Sequence, residues 1–146
     1  MNTVIYIILV ILAVVIIMFF LLGKLSQKGK AAGLKNGKLS PCSTKPNCVC
    51  SEEGTQGRAK IKPLSASVWG ALKTEIINQG GQITNENDEY FSAEFCSNIF
   101  KFVDDFEARL DGDVVHIRSS SRVGYSDRGV NRKRIEALRI SLQTGA

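Results

Sequence analysis

The amino-terminal residues form an apolar segment that the rest of so short a chain cannot enclose. Thr3 to Leu22 is twenty residues without one charge, and sixteen of them are Val, Ile, Leu or Phe. As a helix this segment spans about 30 Å, which matches the hydrocarbon core of a bilayer. A helix that is apolar on every side needs a large protein core or a membrane around it. The segment therefore predicts a transmembrane anchor over residues 1–23, with the lipid bilayer as its partner.

A cleaved secretory signal peptide is the alternative for this segment. Signal peptides carry positive charge at the amino end, an apolar run of about 7 to 15 residues and a small-residue cleavage site. The amino end here has neither Lys nor Arg, the apolar run is longer, and no such site directly follows Leu22. We therefore predict a retained, single-pass membrane protein.

The net charge of +5 belongs to one stretch of the chain. Residues 23–50 contain six lysines and no acidic residue, whereas residues 51–146 carry a net charge of −1. Because this stretch lacks apolar periodicity, we predict that residues 24–40 are a flexible Lys-rich tether. Binding of its lysines to anionic head groups is the alternative. The charge distribution, and the presence of a single aromatic residue, Tyr125, in the later basic turn, argue against a nucleic-acid partner.

The lysines also predict an orientation in the membrane. They flank only the carboxyl side of the apolar segment, and an excess of lysine holds the flanking side in the cytoplasm. We therefore predict a cytoplasmic domain, with the extracytoplasmic side as the alternative.

Three of the four cysteines lie in a Pro-containing stretch that we assign to an irregular loop over residues 41–57. Such a loop can bring Cys42 and Cys48 near one another. The C-x5-C-x-C spacing, with Cys50 as its last member, fits a zinc site poorly, so no metal or cofactor is predicted. Reduced thiols are expected in a cytoplasmic domain, and a Cys42–Cys48 disulfide is the alternative.

Residues 58–146 have the pattern of a small α+β domain. An extended segment precedes a helix that starts near Ser65, and strand patterns with a hairpin turn at Asp111–Gly112 follow. A last helix runs from about Asp127 or Gly129 to Gln143. The positions predicted to face the core from the strands are Phe91, Ala93, Phe95, Phe106, Ala108, Leu110, Val115 and Ile117. The order predicts a two-layer sandwich of an antiparallel sheet with two helices, preceded by the N-terminal transmembrane helix.

The segment from Arg118 to Arg134 is the candidate site. It holds five arginines, one lysine and a single acid across a strand exit, a turn and a helix start. Positive side chains in the first turn of a helix oppose its dipole, so a nearby anion is expected. That anion is either a bound ligand or the carboxylates of Asp104, Asp105 and Asp127. The predicted ligand-binding residues are Arg118, Ser121, Arg122, Gly124, Tyr125, Asn131, Arg132 and Arg134.

Several motifs are similar to those of a known family. They are Pro41-Cys-x-x-x-Pro-Asn-Cys-Val, an Ile-Lys-Pro lead-in, a helical Trp, Phe-Val-Asp-Asp before a strand, and Arg-Ser-x-Ser-Arg-x-Gly-Tyr-x-Asp-x-Gly-x-Asn-Arg-x-Arg. Over about residues 40 to 143, these motifs resemble the domain of unknown function 1499. Cys50 is a departure, since the family more often has serine there. The family has no assigned biochemistry, so the resemblance implies a fold and a membrane-linked setting but no reaction.

Three functions fit these observations. The first is a membrane-anchored module that binds an anionic lipid head group or a small anion at the arginine-rich turn. The second is a structural or protein-interaction module, its partner unknown, in which the arginines pair internally with Asp104, Asp105 and Asp127. The third is an enzyme using Tyr125 or Ser121, but no catalytic constellation is present and no catalytic residue is assigned. We expect Arg122 to be structural, and Arg132 and Arg134 to be available to an outside anion.

Overall fold

One long helix, α1, begins the chain and runs from Asn2 to Gln27. The computed structural model describes residues 2–144, so Met1, Gly145 and Ala146, at the ends of the predicted anchor and domain, lie outside the described residues. No Gly or Pro interrupts α1 before Gly23, and every residue from Asn2 to Leu21 is exposed. The helix is long and apolar enough to cross a membrane.

The rest of the described chain is a main antiparallel sheet with two helices on one of its faces, together with a separate two-stranded hairpin. The further elements are β1 (Leu34–Lys35), β2 (Lys38–Leu39), β3 (Cys48–Cys50), β4 (Leu64–Ser65), α2 (Trp69–Asn78), β5 (Gln82–Glu86), β6 (Tyr90–Cys96), β7 (Val103–Asp111), β8 (Val114–Ser121) and α3 (Val130–Thr144). The main sheet has the order β3-β8-β7-β6-β5, and β4 also pairs with β8. The predicted α+β class and antiparallel strands are confirmed.

The apolar face of the sheet carries the core. Alternation along β6, β7 and β8 places Phe91, Phe106 and Ile117 on this face, where they are buried. From α2 and α3, Leu72 and Ile135 pack against them, and both are fully buried. The 3.6-residue period of the helices and the two-residue period of the strands therefore meet at one interface, as the sequence predicts.

The opposite face of the sheet is covered by the segment that the sequence predicts to be a tether. β1 and β2 form a short hairpin, and Leu39 is only 1% exposed. The amide of Gly33 donates to the Glu107 carboxylate at 2.7 Å, and the amide of Leu39 donates to Glu52 at 3.2 Å. Because buried carboxylates need donors, they hold this backbone against the sheet. Parts of residues 24–40 are thus held against the domain, at a place where the sequence predicts a flexible tether.

Two element boundaries also differ from the prediction. Cys48–Cys50 is a strand rather than part of an irregular loop, because Val49 is buried opposite Ser119 of β8. The alternating sequence pattern that predicts this strand starts at Ile99, but β7 begins at Val103, and the aromatic residues before it contact α1 instead of continuing the strand. The Phe100 ring lies 5.2 Å from the rings of both Phe19 and Phe20.

The end of α1 docks on the domain through polar contacts. Ser26 is only 1% exposed, and its hydroxyl accepts a hydrogen bond from the Val103 amide at 3.1 Å. The Arg122 guanidinium donates to the Ser26 carbonyl at 3.1 Å. Gly23 permits this approach, since a Cβ there would lie 1.7 Å from the Phe100 carbonyl oxygen. The helix end is therefore part of the folded domain.

Candidate functional site

Arg122 follows β8, and its guanidinium lies between two carboxylates, Asp105 on the adjacent strand β7 and Glu94 on the next strand, β6. Its guanidinium donates to Asp105 at 2.7 and 2.9 Å, and to Glu94. The side chains of Arg122 and Asp105 are each 6% exposed. The pKa of Arg122 is raised, chiefly by the hydrogen bonds to Asp105, although burial alone would lower it. The expected contact between Arg122 and the Asp104-Asp105 pair is thus present at Asp105, and the charge of Arg122 is compensated within the fold.

Arg134 forms an ion pair with Asp104, the other carboxylate of the Asp104-Asp105 pair. It reaches from α3 to Asp104 of β7 at 2.9 Å, and Ser121 donates to the same carboxylate at 2.6 Å. Asn131 is 1% exposed, and its side-chain oxygen accepts from Arg134 at 2.8 Å. The expectation that Arg134 is free for an outside anion is therefore wrong. Packing of α3 against β8 brings the Arg134 guanidinium beside Asp104. This contact could not be predicted from the positions of the two residues in the sequence.

Asp127 caps α3. Its carboxylate accepts from the amides of Gly129 at 2.9 Å and Asn131 at 2.7 Å, so it neutralises the positive end of the helix dipole. Gly124, with φ of 87°, turns the chain back, and its carbonyl accepts from the Asn47 side chain at 3.0 Å. Tyr125 is 70% exposed and stands away from these contacts. The turn therefore brings together most of the predicted residues but leaves Tyr125 outside.

Two further ion pairs lie on the polar face of the sheet, and sequence reasoning missed both. Arg118 donates to Glu107 at 2.9 Å, and the Tyr90 hydroxyl donates to the same carboxylate at 3.0 Å. Arg109 holds Glu52 through donors at 3.0 and 3.1 Å. Burial, followed by the charge of Glu107, raises the pKa of Tyr90, which keeps its hydroxyl protonated as the donor. Alternation in β7 separates Glu107 and Arg109 from the core positions, but the sequence gives no sign that this second face is covered.

Arg132 is the arginine of the turn that lies in an open cleft. A cavity of about 320 Å³ lies between the first turn of α3 and the residues around Lys45 and Arg58, and Arg132 lines it. Arg132 donates to the Arg58 backbone carbonyl, and within residues 2–144 it forms no ion pair with a carboxylate. Asp127 is the acidic residue that lines this cavity, and its oxygens bind the α3 amides. With Asp127 counted, the three cationic side chains give the cavity a formal charge of +2, and one of them, Arg132, belongs to the predicted ligand-binding residues.

Cys42 and Cys48 form a disulfide in the structure. The bridge closes the loop whose residues 43–46 line the basic cavity. It corrects the expectation of reduced thiols at these two positions, and the pairing is the alternative that the loop geometry allowed. Cys50 and Cys96 are free; burial raises the pKa of Cys50, so its thiol is poorly reactive.

The comparisons with known proteins give a family and no further relative. No curated protein and no solved structure matches the chain. The family model described as a protein of unknown function (DUF1499) matches residues 38–142, which include the disulfide loop, the whole main sheet and nearly all of α3. This range contains every residue of the arginine-rich turn. The chain therefore belongs to the DUF1499 family.

Proposed function

We propose that this protein is a membrane-anchored binding module that takes an anionic group, a phosphate or a carboxylate, in the basic cavity at Arg132. The observation that carries the proposal is the convergence of Lys45, Arg58 and Arg132, from three separate segments, on one cavity of about 320 Å³. Cavities of about 300 to 1,000 Å³ are typical of ligand sites. Arg132 is the predicted site residue whose charge remains available, since Arg118, Arg122 and Arg134 are paired with carboxylates.

The retention of α1 as the anchor is part of the same proposal. Cleavage of a signal sequence would remove Gly23 and Ser26, although Ser26 is buried and bound to both Val103 and Arg122. A leader that is removed has no need of such contacts. The docked end of α1 therefore supports a retained anchor over a signal peptide.

The anion site predicts a specific thermal response. In neutral detergent, phosphate at about ten times its Kd should stabilise the full chain by about 1.4 kcal/mol, because it binds only the native state. Arg132→Gln should abolish this gain in melting temperature while leaving the ligand-free melting temperature nearly unchanged. Lys133→Gln is the matched control, since it removes the same charge from the adjacent, exposed position of α3.

The outcomes of this experiment distinguish an anion-binding module from a structural or protein-interaction module. A gain that survives in Lys133→Gln and is lost in Arg132→Gln supports the binding module. If phosphate, sulfate and citrate all fail to stabilise the unmutated chain, the binding proposal is wrong. The second candidate, a structural or protein-interaction module, is then favoured, because three arginines of the turn already serve internal ion pairs.

We further propose that the domain faces an oxidising compartment outside the cytoplasm. The lysines of residues 24–45 taken alone favour the cytoplasm. The Cys42–Cys48 bridge favours the opposite side, because cytosolic thiols are kept reduced. We give the bridge more weight than the lysines, because it requires a loop that brings the Cys42 and Cys48 sulfur atoms within bonding distance.

The orientation predicts the thiol count of the isolated protein. If cells are lysed into a denaturing alkylating agent, only Cys50 and Cys96 should be modified, and a peptide linking Cys42 to Cys48 should appear. An alkaline phosphatase fused to the carboxyl end should be active. Alkylation of all four cysteines together with an inactive fusion would place the domain in the cytoplasm.

A further inference from the structure

A second cavity, of about 440 Å³, lies where α1 meets the domain. Phe19 and Leu22 of α1 form one wall, and Phe102 and Val103 at the start of β7 continue it. Val123 and Val130, on either side of the arginine-rich turn, complete an apolar lining. The volume lies within the range of ligand sites, and none of these six residues lines the basic cavity.

The apolar wall of this cavity is continuous with the proposed membrane span. Phe19 and Leu22 belong to the uncharged segment Thr3–Leu22. Because Ser26 fixes the end of α1 to Val103, the opening lies beside the last turn of that segment. An acyl chain can therefore pass from the bilayer into the cavity without exposing its methylene groups to water, which would cost about 0.8 kcal/mol for each.

The polar end of the cavity does not favour an anion. Asp104, Asp127 and Arg134 line it, so its formal charge is −1. The Arg134 guanidinium is held by Asp104 at 2.9 Å and lies 4.2 Å from the centroid of the Phe95 ring, which leaves little of its charge for a ligand. The hydroxyls of Ser121 and Ser126 also line the cavity. This end therefore suits a group that exchanges hydrogen bonds without carrying negative charge.

We propose that this cavity binds a neutral, hydroxyl-bearing amphiphile taken from the bilayer, of the chemical class of the monoacylglycerols. Its polar end lies against Asp104 and Ser121, and its acyl chain lies along Phe19, Leu22 and Phe102. The proposal rests on the retained anchor of the proposed function. It does not depend on the anion site at Arg132, which lies on the other side of Asp127.

The test uses the full chain in phosphatidylcholine nanodiscs and two photoreactive probes. Both probes carry the same diazirine-labelled acyl chain; one is a monoacylglycerol, and the other is the corresponding lysophosphatidic acid. Crosslinked residues are identified by mass spectrometry of peptides. Val130→Trp fills the cavity, and Ile140→Trp adds the same indole at an exposed position of α3 that is 63% accessible and does not line the cavity.

The monoacylglycerol probe should label Phe102, Val123 or Val130, and should exceed the phosphate probe by about fivefold or more, as expected for one uncompensated like-charge contact. This labelling should be lost in Val130→Trp and retained in Ile140→Trp. As a check that needs no variant, unlabelled monoacylglycerol should compete for the label better than unlabelled lysophosphatidic acid.

Three outcomes would overturn the proposal. They are equal labelling of the cavity by the two probes, labelling confined to residues 3–18 of the span, and labelling that survives in Val130→Trp. The thermal response to phosphate at Arg132 is measured separately in detergent. Failure of the amphiphile proposal and failure of the anion site therefore give different results.

Discussion

Replacing Arg122 with alanine is expected to lower the free energy of unfolding by about 3 to 5 kcal/mol, which is the usual cost of stranding one member of a buried ion pair. The change leaves Asp105, which is 4% exposed, without its guanidinium partner, and it removes the donor to the Ser26 carbonyl. For a domain of this size the melting temperature should fall by about 10 °C or more. Thermal or urea unfolding of the full chain in neutral detergent measures the effect.

The matched control for Arg122→Ala is Arg132→Ala, because it removes the same side chain from a position without a carboxylate partner. Arg132→Ala should change the free energy of unfolding by no more than about 0.5 kcal/mol, as is usual for substitutions outside buried networks. If Arg122→Ala were equally mild, the ion pairs of the polar face would not be stabilising elements. The structural role assigned to Arg122 would then be wrong.

Replacing Gly23 with alanine is expected to release the end of α1 from the domain. A Cβ at this position would lie 1.7 Å from the Phe100 carbonyl, a backbone atom that no change of rotamer can move away. The Val103 amide would lose its acceptor, the Ser26 hydroxyl. Its hydrogen exchange should therefore accelerate by about tenfold or more, since a buried donor left without a partner costs about 1 to 3 kcal/mol.

Gly70→Ala is the control for the change at Gly23. Gly70 lies in α2, and a Cβ there meets no atom within 4 Å. Alanine at this position should stabilise the helix by about 0.5 to 1 kcal/mol and leave the exchange of Val103 unchanged. Unchanged protection of Val103 in Gly23→Ala would show that the docking tolerates a side chain, and the close contact would have no functional meaning.

The core of the fold could be predicted because local periodicity determines it. Phe91, Phe106 and Ile117 alternate with polar residues, and each is buried on the helix-covered face. The pairing of Arg122 with the Asp104-Asp105 pair followed from the same reasoning, since a strongly basic strand end needs a nearby anion. Periodicity assigns a side chain to one face of the sheet, and this assignment was sufficient to predict the burial or pairing of these residues.

The second face could not be predicted, because its cover comes from a Lys-rich segment without apolar periodicity. Of residues 34–39, only Leu39 is buried. Glu107 is nevertheless fully buried, since the backbone of residues 33–39 lies over it. Almost every residue carries a backbone amide, so the sequence does not indicate which amides donate to carboxylates. A covering segment that is held by such hydrogen bonds can be recognised only once the fold is known.

The disulfide and Arg134 were missed for different reasons. The spacing of Cys42 and Cys48 permits a bridge, but the lysines beside the span suggested a reducing compartment and so favoured free thiols. Arg134 was treated as available because its contact with Asp104 joins α3 to β7 across 30 positions of the chain. A pair so distant in sequence becomes evident only once the helix is placed on the sheet.

The docked end of α1 also limits how far the domain can move away from that helix. A disordered chain as long as residues 24–40 would let its cargo explore a radius of about 20 to 25 Å around the anchor. The Ser26 contacts with Val103 and Arg122 remove that freedom. With α1 retained in the membrane, as we propose, the domain would be held against the bilayer surface. It would then meet its targets by lateral diffusion in the membrane plane, which suits molecules that reside in, or arrive at, the same leaflet.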